Sequence, residues 1–409
     1  MLRGVSRLSL LHPAVVAMGL HVARVRVRRA LLGHRRYPGD AAAIVRAGLE
    51  ACWNGRYLTA SPGTYRQFWA RDTAFAAPSL VRLGGPWPER LVSTLSWALD
   101  VWTKRGTHVT TTISPVLRWP VDIFDYGVDS LPLLLHALRA ASESPDRAVA
   151  GGASALAHQH AGWIAQEVEQ YVDQVVDPAT GLVRADRVFS AHRDTFRNGS
   201  TAYANTMVAL LGRTLVETGW GPDLLSDHFR ADETIDWSAL LRRHFWLGDR
   251  FRDRLGADET SGEANVVPFW SGIVVDRSMQ AAALDTLRRE GYASPYPLRF
   301  DVTHRSDGLY GAFRLWSADY QTTTSWTSLG SIYLALLREI DPRAAEVDLD
   351  RMRALIERDR TFWEVLDGAG RPWRSKSRLS VSDVSMLWGA ILLELLDGPS
   401  TPDSRASTA

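Results

Sequence analysis

The stretch Tyr65–Gly84, YRQFWARDTAFAAPSLVRLG, is the one from which the rest of the chain can be read. Trp69, Arg71 and Asp72 stand immediately before an apolar run that predicts a helix. A helix start carries unpaired backbone N–H groups and a positive dipole end, so Asp72 is expected to cap it. Read that way, Arg71 and Asp72 are an ion pair at a helix start and need no ligand. The aromatic residues add a second meaning, because Tyr65, Phe68, Trp69 and Phe75 crowd around the pair. A sugar presents C–H faces that stack on rings and hydroxyls that need paired donors and acceptors; this stretch offers both.

On either side the chain reads as helix after helix. Asp40 caps a run through Ile44, Val45 and Leu49, and Leu91–Lys104 is apolar at helical spacing. A loop rich in Thr, Pro and aromatics, 107–127, leads into a helix from Asp129 through Leu134 and Leu138. A long helical region ending near Val176 follows, with an interruption expected at Gly151 and Gly152. After a loop closing at Asn198–Gly199 comes a helix with Met207, Val208, Leu211 and Leu215, then helices around Trp237–Leu247 and Arg277–Arg289. Leu329, Ile332, Tyr333, Leu336, Leu337 and Ile340 form one apolar stripe, and Met352, Leu355 and Ile356 another. Val384, Leu387, Trp388, Ile391, Leu392 and Leu395 form the last.

Alternating runs are too short and scattered to predict a sheet. About a dozen helices, with a long loop before every second one, predict an all-α toroid of helical hairpins, an inner ring inside an outer one. Loops converging at one end of the inner ring would build a funnel-shaped site. No fixed repeat length marks a solenoid.

Composition narrows the function. With 409 residues, 45% hydrophobic and 23% charged, the chain can bury a sizeable core. A net charge of +1 gives no electrostatic case for nucleic acid. Cys52 is the single cysteine, so there is neither a disulfide framework nor a thiol metal cluster. His residues are dispersed, and neither a phosphate-binding Gly loop nor a Gly-x-Ser-x-Gly elbow occurs. No metal or other cofactor is expected. Residues 1–38 read as a basic extension, with Arg24, Arg26, Arg28, Arg29, Arg35 and Arg36, either disordered or from a misassigned start. The apolar run Leu8–Leu20 is too short to span a bilayer, and the arginines are the wrong flank for a signal peptide. A cytoplasmic location and no stable membrane insertion are expected. Residues 39–397 would form the catalytic domain and 398–409 a disordered tail.

What the loops do contain is acids among aromatics, which favours carboxylate chemistry on an uncharged substrate. Asp194 lies in the loop of VFSAHRDTFRNGSTAYANTMVALL, 188–211, which also carries Asn205. Tyr320 and Trp326 stand at the entry of SADYQTTTSWTSLGSIYLALL, 317–337. Glu364 lies in TFWEVLDGAGRPW, 361–373, just past an expected helix end where the dipole disfavours an acid. Glu263, in SGEANVVPFW, is a reserve candidate, and Asp122, Asp125 and Asp319 are weaker ones. Each has a plain alternative: Asp194 could pair with Arg193 or Arg197, and Glu364 could be a solvated helix-end residue.

These stretches together resemble the glucoamylase-like and processing α-glucosidase-like glycoside hydrolases, with mannosylglycerate-type hydrolases and trehalase among their relatives. The resemblance runs in patches over about residues 40 to 397. It implies an (α/α)6 toroid, the six-hairpin glycosidase barrel. Trp69-Ala70-Arg71-Asp72 matches a Trp-x-Arg-Asp motif whose Arg and Asp grip the terminal sugar. Asp129 looks like the acid opening the next inner helix; Asp194, followed by Asn198 and Asn205, falls where the general acid is expected. Tyr320 and Trp326 fall at an aromatic pair, and Glu364 with Asp367–Gly368 matches the segment holding the general base. The acid loop lacks the Glu–Glu pair of glucoamylases, and Leu366 replaces an aromatic, which leaves the sugar open.

The expected reaction is exo-acting hydrolysis with inversion: one carboxyl protonates the leaving oxygen and the other activates water. Asp194 would be the acid and Glu364 the base. Trp69, Arg71, Asp72, Asp129, Asn205, Glu263, Tyr320 and Trp326 would bind a terminal α-glucoside or another small α-glycoside. An epimerase, lyase or phosphorylase on the same fold, or a non-catalytic carbohydrate-binding toroid, stays open.

Overall fold

Two kinds of helix alternate along the chain. In the computed structural model the described residues are 13–122, 125–218, 220, 236–305, 308–311, 317–376 and 380–398. Helix α3 (Ala70–Leu83) follows α1 (Pro13–Leu32) and α2 (Ala41–Glu50), and its residues 70–77 are buried without a break. A helix buried on all sides belongs in an interior. Four more helices, α4 (Trp87–Arg105), α5 (Ser130–Ser142), α6 (Arg147–Gln159) and α7 (Ala161–Val175), lead to α8 (Ala202–Thr218). Beyond it lie α9 (Trp237–Phe245), α10 (Gly262–Trp270), α11 (Arg277–Arg289), α12 (Thr327–Ile340), α13 (Pro342–Asp359) and α14 (Gly389–Asp397).

The helices buried all round are α3, α5, α8, α10, α12 and α14. Each packs on the next, and α14 returns to α3, so they close a ring. The intervening helices bury only a stripe, as α13 does with Ala345, Leu349, Met352 and Ile356, and pack against the ring from outside. The architecture is an (α/α)6 toroid. Residues near the N-terminal ends of α3, α12 and α14 share one cavity, and C-terminal residues of the inner helices line another. The inner ring is therefore parallel, with its helix N-termini at one end.

Among the described residues, five strands of two or three residues tie down the loops at that end. An antiparallel sheet joins β1 (Phe68–Trp69), β2 (Thr112–Ser114) and β3 (Trp119–Val121), and β4 (Ser325–Trp326) pairs with β5 (Val365–Leu366). They are too short to show the alternation by which a strand is recognised in sequence. β1 runs directly into α3 and β4 into α12.

Several local expectations change. Asp40 does cap α2, accepting the Ala43 N–H at 2.8 Å. Asp72 is not the cap of α3: Trp69 holds that position without a side-chain bond, and Asp72 sits in the first turn. Gly151 and Gly152 lie inside α6, and the break comes at His160. Helix α14 starts at Gly389, so Val384 and Leu387 belong to the approaching loop. Part of the basic N-terminal extension, Pro13–Leu32, is helical. The tail expected after residue 398 lies outside the described residues. Among the described residues no helix is long and apolar enough to cross a membrane.

Candidate active site

At the N-terminal end of the ring lies a cavity of about 210 Å³ whose wall includes Arg71, Asp72, Asp194 and Glu364. The β1–β2 register, Phe68 opposite Ile113 and Trp69 opposite Thr112, sets the entry to α3. Arg71 follows within the first turn. Its Nε donates to Asp129 Oδ2 at 2.5 Å and its Nη2 to Ser190 Oγ at 3.1 Å, while Nη1 lies 3.7 Å from Asp194 Oδ2. Burial opposes its charge, but Asp129 and Asp194 more than offset that and hold its pKa above the usual value. Asp72 is pushed up to about 7 by burial, which Arg71 only partly offsets.

The Asp194 loop is pinned on both flanks. Arg193 pairs with Asp301 and donates to the Gln321 carbonyl at 3.0 Å, so it is not a partner for Asp194. The Gln321 side chain accepts the Thr195 N–H at 2.9 Å and hydroxyl at 2.7 Å, and donates to the His192 carbonyl at 3.1 Å. Asp194, held between those two anchors, keeps a side chain 22% exposed in the cavity wall. Burial raises its pKa against the pull of Arg71 and His192. Because Asp129 already neutralises Arg71, that pull is weakened.

Glu364 comes from the loop between α13 and β5. Its backbone N–H donates to the Asp383 carbonyl at 2.9 Å, and its carbonyl accepts from Thr327 N–H at 3.1 Å, where α12 begins. Its carboxylate accepts the Tyr320 hydroxyl on Oε1 at 2.8 Å and the Asp383 N–H on Oε2 at 2.8 Å. Tyr65 and Tyr320 hydroxyls are 3.1 Å apart. Burial pushes the Glu364 carboxyl up to about 7, with the Tyr320 bond and Arg29 working the other way. Trp326 donates its Nε1–H to the Tyr320 carbonyl at 2.7 Å and meets the Tyr320 ring edge-on.

Of the residues singled out in sequence, Trp69, Arg71, Asp72, Asp194, Tyr320, Trp326 and Glu364 meet in this one wall. Asp129, Asn205 and Glu263 lie behind it. Asp129 is fully buried and also accepts the Tyr203 hydroxyl at 2.8 Å; although it opens α5, its side chain caps nothing. Asn205 accepts the Val183 N–H at 2.9 Å and donates to the Thr201 carbonyl at 2.8 Å, pinning the start of α8. Glu263 is buried, its Oε2 3.3 Å from His192 Nδ1, and burial holds it well above the usual carboxyl range. Asp122 pairs with His108, Asp125 accepts from Tyr310, and Asp319 accepts from Trp373.

The wall also contains His192, Gln321 and Trp388, which sequence reading passed over. Burial drives His192 down to about 4, so its ring is neutral near pH 7. It stands two residues before Asp194 in the same loop, which bends and turns at 192–195, so no periodicity in the sequence marks it. Among the described residues no three His, Cys, Asp or Glu side chains are grouped to hold a metal ion.

No family model and no curated protein sequence matches the chain. Solved structures do. A wild-type glycosidase aligns at 15% identity over 87% of this chain and 96% of its own, with a TM-score of 0.56. A GH63 mannosylglycerate hydrolase from Thermus thermophilus, in complex with Tris, aligns at 14% identity over 86% of this chain and 98% of its own, with a TM-score of 0.56. A rhamnosidase from Klebsiella oxytoca with rhamnose bound aligns at 14% identity over 86% of this chain and 62% of its own, with a TM-score of 0.59. The chain has the fold of these glycosidases. At such identities the likeness concerns the fold.

Proposed function

We propose that the chain is a glycoside hydrolase that removes the terminal sugar of an α-glucoside or another small α-glycoside with inversion. The observation that carries this reading is the meeting of two carboxyls from distant loops, Asp194 and Glu364, in one small aromatic-walled cavity beside Arg71 and Asp72. The cavity is smaller than the roughly 300–1,000 Å³ pockets that take drug-sized ligands, which supports one sugar ring at the end of a chain.

In this reading Asp194 is the general acid. Burial favours its protonated form, and the prior engagement of Arg71 with Asp129 weakens the opposing pull. Glu364 is the general base. Donors at both of its oxygens favour the ionised form, which takes a proton from water on the far side of the anomeric carbon. The water attacks as the glycosidic oxygen leaves with the Asp194 proton. Inversion requires about 6.5–9.5 Å between the two carboxyls to admit the water. Arg71 and Asp72 bind ring hydroxyls, and Trp69, Tyr320 and Trp326 supply stacking faces, so that binding orients the anomeric carbon. One of the aligned glycosidases, an E335A variant, is in complex with glucose, which agrees with a single hexose as the occupant.

A panel of α- and β-glycosides, with anomer-resolved NMR of the first product, tests the reading. The expected product is a free sugar released as the anomer opposite to the substrate. Retention of configuration refutes the mechanism. An unsaturated or epimerised product would instead point to His192 as a base, and turnover only with phosphate to a phosphorylase. Binding without turnover across the panel would leave a carbohydrate-binding toroid.

A further inference from the structure

Behind Glu364, on the side away from the cavity, the basic N-terminal extension reaches the site. Arg29 of α1 pairs with Asp383 and donates through Nη1 to the Ser382 carbonyl at 3.1 Å. Arg26 donates to Ser380 Oγ at 3.2 Å, and His21 bonds the Gly63 carbonyl at 2.9 Å, so the helix is fastened at several points along one side. The Arg29 side chain is 15% exposed and that of Asp383 1% exposed. Asp383 also accepts the Ser61 hydroxyl at 2.5 Å and the Thr64 N–H at 2.7 Å. A carboxylate this deep needs a cation, and Arg29 is the cation paired with it among the described residues. The junction is close: a Cβ on Gly63 would overlap Asp383 Oδ1 and stand 2.9 Å from Arg29 Nη2.

Asp383 is bonded to Glu364 in both directions. Its N–H donates to Glu364 Oε2 at 2.8 Å, and its carbonyl accepts the Glu364 N–H at 2.9 Å. We infer that α1 is a brace for the general base, with Arg29 a positioning residue that holds the Glu364 carboxylate through Asp383. The inference rests on the role proposed for Glu364. Besides fixing geometry, Arg29 supplies positive charge. The other groups facing Glu364 are the Tyr65 and Tyr320 hydroxyls from their loops, Asp194 across the cavity, Asp72 and Arg71 on α3, the latter already engaged by Asp129, and Asp383 behind it. Without Arg29, the cation left facing Glu364 in this set would be Arg71, already paired with Asp129, and the ionised form of Glu364 would be disfavoured.

The test reads Glu364 directly, without substrate. The carboxyl titration of glutamate-labelled full-length protein is followed by carbon NMR, with Glu364→Gln identifying the resonance. In Arg29→Gln the titration is expected to move up by roughly one pH unit, and in Arg29→Lys to keep most of the wild-type position. Against any glycoside the wild type hydrolyses, the acidic limb of kcat/KM in Arg29→Gln should move up by the same amount. A folded Arg29→Gln with an unchanged Glu364 titration overturns the inference. Should Arg29→Gln not fold, Asp383→Asn is compared with the double variant Arg29→Gln/Asp383→Asn, in which no buried carboxylate is left unpaired. The double variant should titrate higher than Asp383→Asn, and equal titrations overturn the inference. Absence of hydrolysis across the glycoside panel would remove the proposed activity but leave this titration readable, so the two failures are distinct.

Discussion

The two ends of the inner ring carry charge in opposite ways. At the N-terminal end Asp72 and Glu364 are buried and pushed up to about 7. The cation in that wall, Arg71, is already committed to Asp129. At the C-terminal end a wider cavity of about 740 Å³ is rimmed by arginines and glutamates in matched pairs. Arg82 meets Glu394 at 2.5 Å, Arg139 lies 3.3 Å from Glu143, and Arg213 lies 3.5 Å from Glu217. Helix dipoles favour cations at that end and carboxylates at the other. Dipoles alone account for the arginines of the C-terminal rim, whose partners are partly wet. They do not account for burying Asp72 and Glu364, which disfavours their ionised forms. Charge that is matched and exposed reads as architecture; charge that is buried and in excess reads as chemistry.

The sharpest way to break this comparison is to remove the acids. Asp194→Asn and Glu364→Gln should each lower kcat by about 10²–10⁴-fold or more, while calorimetry shows the sugar that the wild type releases still bound. Near-normal turnover in either variant removes that residue from the mechanism. Next in size is Arg71→Met. It leaves Asp129 buried without its cation, so unfolding in urea should show a loss of about 3–5 kcal/mol, and sugar binding should fail as well. A loss under about 1 kcal/mol would mean that Arg71 is no more embedded than the arginines of the opposite rim.

Sequence reading reached the ring and most of the wall, for physical reasons. The apolar stripes of α12 and α13 are local signals that mark both as helices, whereas the burial of α12 on every side depends on its neighbours in the ring. Trp69, Arg71, Asp72, Tyr320 and Trp326 were visible because they cluster at helix entries. Asp129 reads as a sugar contact because an acid at a helix start looks the same whether it faces a cavity or an arginine behind it. Asn205 and Glu263 follow the same course. Trp388 was hidden inside a stripe that looked like pure core, and the backbone partners of Glu364 in residues 382–384 are non-local. No periodicity announces that an N-terminal arginine will meet Asp383.

The cost of the buried base should be measurable as stability. The folded-state pKa of Glu364, about 7, lies above the usual 4.5, so folding binds its proton in that interval. The stability linked to that proton is fully present below about pH 4.5 and is lost as pH rises through about 7. Glu364→Gln cannot ionise and escapes the loss. In thermal or urea unfolding it should match the wild type near pH 4 and exceed it at pH 8 by up to about 3 kcal/mol, for a shift from 4.5 to about 7. An inactive variant that is also more stable only at high pH is what a buried functional carboxylate requires. Equal stability at pH 8 would mean that the carboxylate is better solvated than its burial implies.

The smallest effect belongs to the opposite rim. Arg82 is 58% exposed and its partner Glu394 27%, so their contact forms largely in water. Arg82→Gln removes the charge, breaks the ion pair and weakens the favourable interaction with the C-terminal dipole of α3, each a fraction of a kcal/mol in such a setting. The expected loss is therefore no more than about 1 kcal/mol, it should shrink in high salt, and kcat/KM should not move. Arg71→Met, by contrast, should be little affected by salt because its partner is fully buried. If the two substitutions cost the same and respond alike to salt, the contrast between the ends is one of position only. If Arg82→Gln alters turnover, the C-terminal cavity is coupled to the site through the ring, and its matched charges are more than architecture.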